Sequence, residues 1–244
     1  MSSIWFAAFS QDFVEPAKEI FRKLSKDVKV QVWDPEILHN MISDGVQVIL
    51  ARGATAIRIR KITTLPIVEI PIPFEDMVDT LIEASSYGRN IGVIGYNNLL
   101  GGLELLNPIL NVNIRQVFAV DTEDTYRQIA KWKEDNVDVV VGGLIQTHFA
   151  KQLDMKYVRI DLSEKALAHA CLEAEKILES VIAATKKAEE LKTILNTTKE
   201  NYIAVDPEGK ITLINQTASR YLPDASLSAE GDVITDLFPV FKSI

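Results

Sequence analysis

The stretch IWFAAFSQ at residues 4–11 decides the fold of this 244-residue chain, because IGVIGYNN at residues 91–98 repeats its pattern. A second pair, VQVILARG at residues 46–53 and VDVVVGGL at residues 137–144, repeats in the same order. Each segment is a short apolar run that stops at small or polar residues, as a buried parallel strand does before its helix. The repeats predict an α/β protein with two similar doubly wound parallel-sheet lobes. Their strand ends are expected to face one cleft, where open α/β sheets bind ligands.

Strand and helix patterns alternate through both lobes, as expected for parallel sheets with crossover helices. In lobe one, about residues 1–75, we expect strands at 4–9, 29–32, 46–50 and 65–70 and helices at 13–21, 35–43 and 54–62. Residues 74–87 predict a connecting helix. In lobe two, about residues 88–160, we expect strands at 91–95, 115–120, 137–141 and 156–160 and helices at 99–106, 122–134 and 145–152.

Composition limits the partners that this chain can have. The net charge of −8 argues against direct binding of nucleic acid or an acidic membrane, because such binding needs a basic surface. No hydrophobic run approaches the roughly 20 residues that span a bilayer, and the apolar start is too short for a signal peptide. The single cysteine, Cys171, excludes an internal disulfide. We therefore expect a cytoplasmic protein.

A long helix is predicted at residues 163–197, because no glycine or proline occurs from Ser163 until Pro207. Apolar residues follow coiled-coil spacing with one local fault, at Leu167, Cys171, Ala174, Leu178, Val181, Thr185, Ala188, Leu191 and Leu195. Two interpretations stay open for residues 163–180: packing on the lobes or part of a seam between two chains. Beyond residue 180 we expect a homodimer seam.

The last segment, residues 198–244, predicts two strands joined by the turn Asp206-Pro207-Glu208-Gly209, followed by a short helix that Asn215 opens. This pattern resembles the start of a PAS domain, which implies that the domain is incomplete here and that the natural protein is longer. The segment contains no Cys, His or Met, so it offers no flavin-adduct or haem ligand. Its expected role is dimerisation or signal relay, and the alternative is a ligand site in the part beyond this chain.

Polar and small residues at the predicted strand ends form a candidate ligand site. Arg52 follows a buried-type strand and precedes a helix start, where a guanidinium can receive a carboxylate or phosphate. Glycines in the matching place of lobe two leave a bare backbone that a ligand can approach closely. The candidate ligand-binding set is Ser10, Gln11, Arg52, Gly53, Ala54, Thr55, Gly95, Asn97, Asn98, Gly142, Gly143 and Thr147. The alternatives are a surface arginine, turn glycines and ordinary helix caps.

Known catalytic arrangements do not match these residues. Two-lobed aspartate and glutamate racemases need a pair of cysteines, and receiver domains need clustered aspartates at strand ends. His39, His148 and His169 lack partner ligands at metal-binding spacing, and no Walker-type phosphate loop occurs. We therefore expect no catalytic residue, metal or cofactor. An enzyme of unknown type that uses the same cleft, and a dimerisation scaffold, remain as alternatives.

Four short motifs carry a family resemblance over residues 1 to about 185: ARGATA at 51–56, LPIVEI at 65–70, IGVIG at 91–95 and VVVGG at 139–143. They resemble the N-terminal sensory domain of the propionate-catabolism activators, which are sigma-54-dependent transcriptional regulators of the NtrC family. The resemblance implies effector sensing, with a PAS domain or linker, an AAA+ ATPase and a helix-turn-helix following in the chain. The partner expected from the residues and the resemblance together is a small anionic metabolite, most simply a carboxylate.

Overall fold

The computed structural model describes residues 2–96, 99–222 and 229–238. It divides into two compact units, one through Glu179 and one from Ser180 onward. The first unit contains both predicted lobes, and each lobe is built on a four-stranded parallel sheet. The predicted two-lobed α/β architecture is therefore confirmed.

The two sheets have the same strand order. In lobe one the order is β2-β1-β3-β4, with β1 at Ile4–Ala8, β2 at Lys29–Val32, β3 at Val48–Ala51 and β4 at Ile67–Glu69. In lobe two it is β6-β5-β7-β8, with β5 at Asn90–Gly95, β6 at Asn113–Phe118, β7 at Val139–Gly142 and β8 at Lys156–Arg159. The register also repeats, since Ile4 pairs with Val48 and Ile91 pairs with Val139. Each central pair of strands is flanked on both sides, which explains why its sequence is apolar throughout.

Helices cover both faces of each sheet. They are α1 at Val14–Lys23, α2 at Pro35–Ser43, α3 at Ala54–Arg60, α4 at Phe74–Ser85, α5 at Asn107–Leu110, α6 at Thr122–Glu134, α7 at Leu144–Gln152 and α8 at Glu164–Thr197. Side-chain caps fix three of the starts: the carboxylate of Asp34 accepts from the Ile37 amide, that of Asp121 accepts from the Asp124 amide, and the Ser163 hydroxyl accepts from the Ala166 amide. The helix expected at 99–106 is wrong. Gly102 adopts a φ of 81° there, and only a 3₁₀ turn at Leu103–Leu106 precedes α5.

The two lobes exchange one helix each. Helix α4 follows the last strand of lobe one, yet its buried residues Met77 and Leu81 pack on the sheet of lobe two. Helix α8 follows the last strand of lobe two, yet Leu167 and Ala174 pack on the sheet of lobe one. The chain thus crosses between the lobes twice, at residues 70–73 and 160–163.

Helix α8 has two different halves. Leu167, Cys171 and Ala174 are buried in the core of lobe one, so for these residues the structure shows packing on a lobe and not a seam between chains. In the second unit, the helix exposes Ile182, Leu191 and Ile194. None of the helices in the described ranges has a segment long and apolar enough to cross a membrane.

The second unit also contains a β-hairpin. Strand β9, Ile203–Val205, pairs antiparallel with β10, Ile211–Ile214, through a turn in which the Gly209 amide donates to the Asp206 carbonyl. Asn215 caps the short helix α9, Gln216–Ser219, and a second short helix, α10, spans Ile234–Leu237. The hairpin and the short helix lie where the sequence places them, and the assignment to a PAS domain stays a prediction.

Candidate functional site

A cavity of about 110 Å³ lies between the two lobes of the first unit. The carboxyl ends of the central strands surround it: β1 and β3 from lobe one, β5 and β7 from lobe two. In both sheets the strand order reverses between these two strands, and open α/β sheets bind ligands at such switch points. Ile72, Ile160 and Leu162, from the two crossing segments, complete the lining.

Arg52 supplies the positive charge of the cavity. Its Nη1 atom donates to the carbonyl oxygen of Asp161 at 2.9 Å, while the Asp161 carboxylate bonds to Arg159 at 2.5 Å. Burial lowers the pKa of Arg52 to about 10, although the nearby carboxylates of Asp161 and Asp76 partly oppose that shift. Arg52 is still protonated at neutral pH and is partly buried, but it has no carboxylate partner in hydrogen-bond contact within the described residues. An anion in the cavity would supply that partner.

Two neutral polar groups in the cavity wall also lack partners. Thr55 and Gln146 are only 2% and 3% exposed. Among the described residues, neither the Thr55 hydroxyl nor the Gln146 side-chain nitrogen has a hydrogen-bond partner. Buried polar groups are nearly always hydrogen-bonded, so each unpaired group needs an explanation. Both residues line the cavity, so a bound ligand could offer a partner to each of them.

The loops that follow β3 and β7 differ by one residue. In lobe two, β7 ends at Gly142 and Gly143 caps α7 directly, with no side-chain hydrogen bond at that cap. In lobe one, β3 ends at Ala51 and the cap of α3 is Gly53, so Arg52 is the additional residue. The cation therefore comes from one lobe only, and lobe two contributes Gln146 and the start of the nine-residue helix α7.

The structure brings part of the predicted site together. Arg52, Gly53, Ala54, Thr55, Gly95 and Gly143 line the cavity. Ser10, Gln11, Gly142 and Thr147 are not part of its described lining. Asn97 and Asn98 lie outside the described residues.

The predicted residues that do not line the cavity have other surroundings. The Thr147 hydroxyl donates to the Gly143 and Leu144 carbonyls of its own helix start. A side chain at Gly142 would put its Cβ 2.5 Å from the Cβ of Gln146, so close packing of β7 and α7 explains that glycine. Gln11 is exposed, and the Ser10 hydroxyl is buried with no partner in the described part of the chain.

Sequence reasoning missed Gln146 and the apolar wall of the cavity. Gln146 lies in the first turn of α7, where a polar residue gives no signal of burial. The aromatic wall comes from Phe6 and Phe9 around the end of β1 and from Phe13 just before α1. The sequence signal for this wall was the aromatic content of residues 5–13. Those aromatic residues were interpreted as the core of a strand and a helix, so the wall was not predicted.

Fold and cavity together define a class: two-lobed α/β proteins with an arginine in the wall of an interlobe cavity. A family model described as "Propionate catabolism activator" matches residues 34–184, which is more than half of the chain. The chain belongs to this family, and the matched domain is the sensory domain of a transcription activator.

A solved structure shows the same fold. The crystal structure of an NtrC family transcriptional regulator from Clostridium acetobutylicum is 20% identical in sequence, with a TM-score of 0.62. The match covers 72% of this chain and 96% of that one. Comparison with the curated proteins gave no significant match.

Proposed function

We propose that residues 1–162 bind a small anionic metabolite between the lobes and that α8 carries the signal onward. The output would be the ATPase and DNA-binding domains of a cytoplasmic, sigma-54-dependent transcription activator. The observation that carries this proposal is Arg52: a partly buried guanidinium in the cavity wall, whose hydrogen bond goes to a backbone carbonyl and not to a carboxylate. Charge-assisted pairing with a ligand anion would stabilise it.

The contact of Arg52 also suggests how binding reaches α8. Asp161, whose carbonyl accepts from Arg52, lies three residues before the start of α8 at Glu164. At the start of that helix, Lys165 pairs with Glu75 of α4 at 2.9 Å. A ligand that draws Arg52 toward itself would therefore act on the segment that leads into α8.

The test compares Arg52→Ala with wild type in thermal unfolding, using sodium acetate, butyrate, succinate and citrate as probes. A ligand at about 100 times its Kd stabilises by roughly 2.7 kcal/mol, and one charged hydrogen bond contributes about 1.5 to 3 kcal/mol. Arg52→Ala should therefore remove most of the ligand-induced shift in Tm and leave the ligand-free Tm nearly unchanged. Arg52→Lys should rescue binding poorly, because an ammonium does not reproduce the guanidinium fork.

Arg58→Ala is the matched control, since Arg58 is exposed on α3 and does not line the cavity. Its ligand-induced shift should equal that of wild type. An unchanged shift in Arg52→Ala would remove Arg52 from the site. Acid concentration is followed in parallel, because consumption of the stabilising acid would favour an enzyme over a sensor.

A further inference from the structure

Two short segments of the chain join the lobes. The first follows Ile70, whose amide still donates to β3 of lobe one, and it ends where α4 begins on lobe two. The second follows Ile160, whose amide still donates to β7 of lobe two, and it ends at Ser163, which caps α8 on lobe one. Residues 71–73 and 161–162 therefore lie between the lobes, and we call them the hinge segments. A few residues at the ends of elements are enough to absorb a domain rotation.

The exchanged helices determine which parts of the molecule move together. Leu167 and Ala174 of α8 are buried in the core of lobe one, and Met77 and Leu81 of α4 are buried in the core of lobe two. Protein cores are close-packed, so each helix is fixed to the lobe that buries it. The first unit thus consists of two bodies. Body one is lobe one with the buried part of α8, and body two is lobe two with α4.

Helix α3 of body one makes an apolar contact with body two. Ala54 and Ile57 pack against the lobe-two cluster that contains Ile94, Tyr96 and Ala150. Among the described residues, Ile57 belongs to neither apolar cluster of lobe one itself. Its apolar side chain therefore contributes to the contact between the bodies and not to the core of its own lobe.

This contact lies away from the hinge segments. Alternate residues of β1 face opposite sides of the sheet: Phe6 belongs to the cluster beneath α8, whereas Trp5 belongs to the cluster beneath α3. In lobe two, α4 likewise covers one face, and the cluster that receives Ile57 lies on the other. The hinge segments lead into α4 and α8, so the α3 contact is on the far side of both sheets.

Two polar contacts between the bodies lie beside the hinge segments instead. Lys165 pairs with Glu75 at 2.9 Å, and the Arg159 guanidinium lies 5.6 Å from the centroid of the Phe13 ring. Lys165, Glu75 and Arg159 are all within three residues of a hinge segment, so a rotation displaces them little. The ion pair is also more than half exposed, and such pairs contribute little stability. Of these three contacts, the α3 contact is the one that a rotation separates most.

We propose that the two bodies rotate about the hinge segments and that the lobes close when Ala54 and Ile57 of α3 pack on lobe two. The inference rests on the proposed function for its role, because it describes how the ligand site is regulated. Closure brings Arg52 of lobe one and Gln146 of lobe two to one cavity, and opening separates them. A ligand that contacts both lobes stabilises the closed arrangement. Helix α8, fixed to lobe one, then changes its position relative to lobe two.

The experiment measures distances between pairs of nitroxide labels by double electron–electron resonance, in the full 244-residue chain without ligand. The labels are attached to cysteines introduced at four exposed helix positions, one pair at a time: Asn40→Cys on α2, Glu83→Cys on α4, Lys131→Cys on α6 and Glu173→Cys on α8. Cys171 is fully buried, and burial raises the pKa of its thiol to about 11, so it should take up no label. The chain without introduced cysteines checks this.

Ile57→Glu places a charge in the α3 contact and should open the lobes. The pairs that span the two bodies, Asn40–Lys131 and Glu173–Lys131, should lengthen by more than about 2 Å, as expected for a domain rearrangement. No change is expected in the pairs that lie within one body, Asn40–Glu173 and Glu83–Lys131. Unchanged distances across the bodies would overturn the closure contact. A longer Asn40–Glu173 distance would overturn the assignment of α8 to body one.

Two further variants complete the test. Ile62→Glu is the matched control, because Ile62 follows α3, is 52% exposed and should leave all four distances as in the wild type. Ile57→Ala removes most of the contact without adding a charge, so it should give the same pattern with a smaller shift and decides the matter if Ile57→Glu does not fold. No acid is present in these measurements. Their failure would therefore leave the proposed function standing, and loss of the acid-induced shift in Tm would leave the hinge standing.

Discussion

Lobe one and lobe two share a strand order and a register, yet they contribute different chemistry to the cavity between them. Lobe one supplies the cation, Arg52, which is the one additional residue in the loop between β3 and α3. Lobe one also supplies most of the aromatic wall. Lobe two supplies Gln146 and a helix start that follows its strand directly. The repeated features build the cleft, and the features that differ determine its charge and its hydrogen-bonding groups.

The cores of the lobes differ at equivalent positions as well. Trp5 lies on β1, buried between the sheet and helices α2 and α3. Its counterpart on β5 is Gly92, and there the indole of Trp132 from α6 fills the space instead. Register supports this equivalence, because Trp5 pairs with Ile49 and Gly92 pairs with Val140. The same volume is filled from a strand in one lobe and from a helix in the other.

The largest effect should come from breaking the exchange of helices. Leu167 on α8 is fully buried against lobe one, and Leu81 on α4 is fully buried against lobe two. In the chain, each of these helices directly follows the last strand of the other lobe. Leu→Ala at such sites costs about 2–5 kcal/mol of unfolding free energy. Leu167→Ala should raise amide hydrogen exchange in β1 and β3 first, and Leu81→Ala should raise it in β5 and β7 first.

Hydrogen exchange and urea unfolding of both variants check this crossed pattern. Leu172→Ala is the control, because Leu172 is on α8 but 53% exposed, and its loss should change the unfolding free energy by less than about 0.5 kcal/mol. If Leu167→Ala loosened the strands of lobe two before those of lobe one, the exchange of helices would be wrong.

A smaller effect is expected at Gly92, the counterpart of Trp5, where the Trp132 ring fills the space. A Cβ at Gly92 would lie 2.5 Å from the Trp132 ring, so Gly92→Ala overpacks lobe two and should cost about 1–3 kcal/mol. Replacing Trp132 by Leu in the same chain should relieve the clash, so that the two changes together are less damaging than their sum. Gly101→Ala is the control, since among the described residues no atom beyond its chain neighbours lies within 4 Å of a Cβ there. Strict additivity in urea unfolding would show that the indole of Trp132 does not occupy this space.

The sequence predicted those features of the fold and the site that produce a periodic or local pattern of residues. Buried strands such as β3 and β7 are continuous apolar runs, and Arg52 stands out because a charge directly follows such a run. The exchange of α4 and α8 leaves no such signal. Helical spacing at Leu167 and Ala174 shows that one face is buried, but it cannot say which lobe buries it. Gln146 was missed for a related reason, because its burial depends on close packing against Gly142 at the end of β7, which a polar residue in the first turn of a helix does not signal.

The smallest effect on stability should come from the half of α8 that belongs to the second unit, where its apolar residues are exposed. Leu167 is fully buried, whereas Leu191 on the same helix is 53% exposed, although both follow the coiled-coil spacing. We propose that residues 181–195 pair with a second copy of the chain, because exposed apolar residues at this spacing are stabilised by a facing helix. Leu191→Ala should then change the unfolding free energy of the separate chain by less than about 0.5 kcal/mol, yet weaken self-association in sedimentation at tens of micromolar. Leu105→Ala, at a residue 76% exposed in lobe two, should leave association unchanged. A wild-type chain that sediments as a monomer at those concentrations would refute the seam and leave the contrast between the two halves of α8 unexplained.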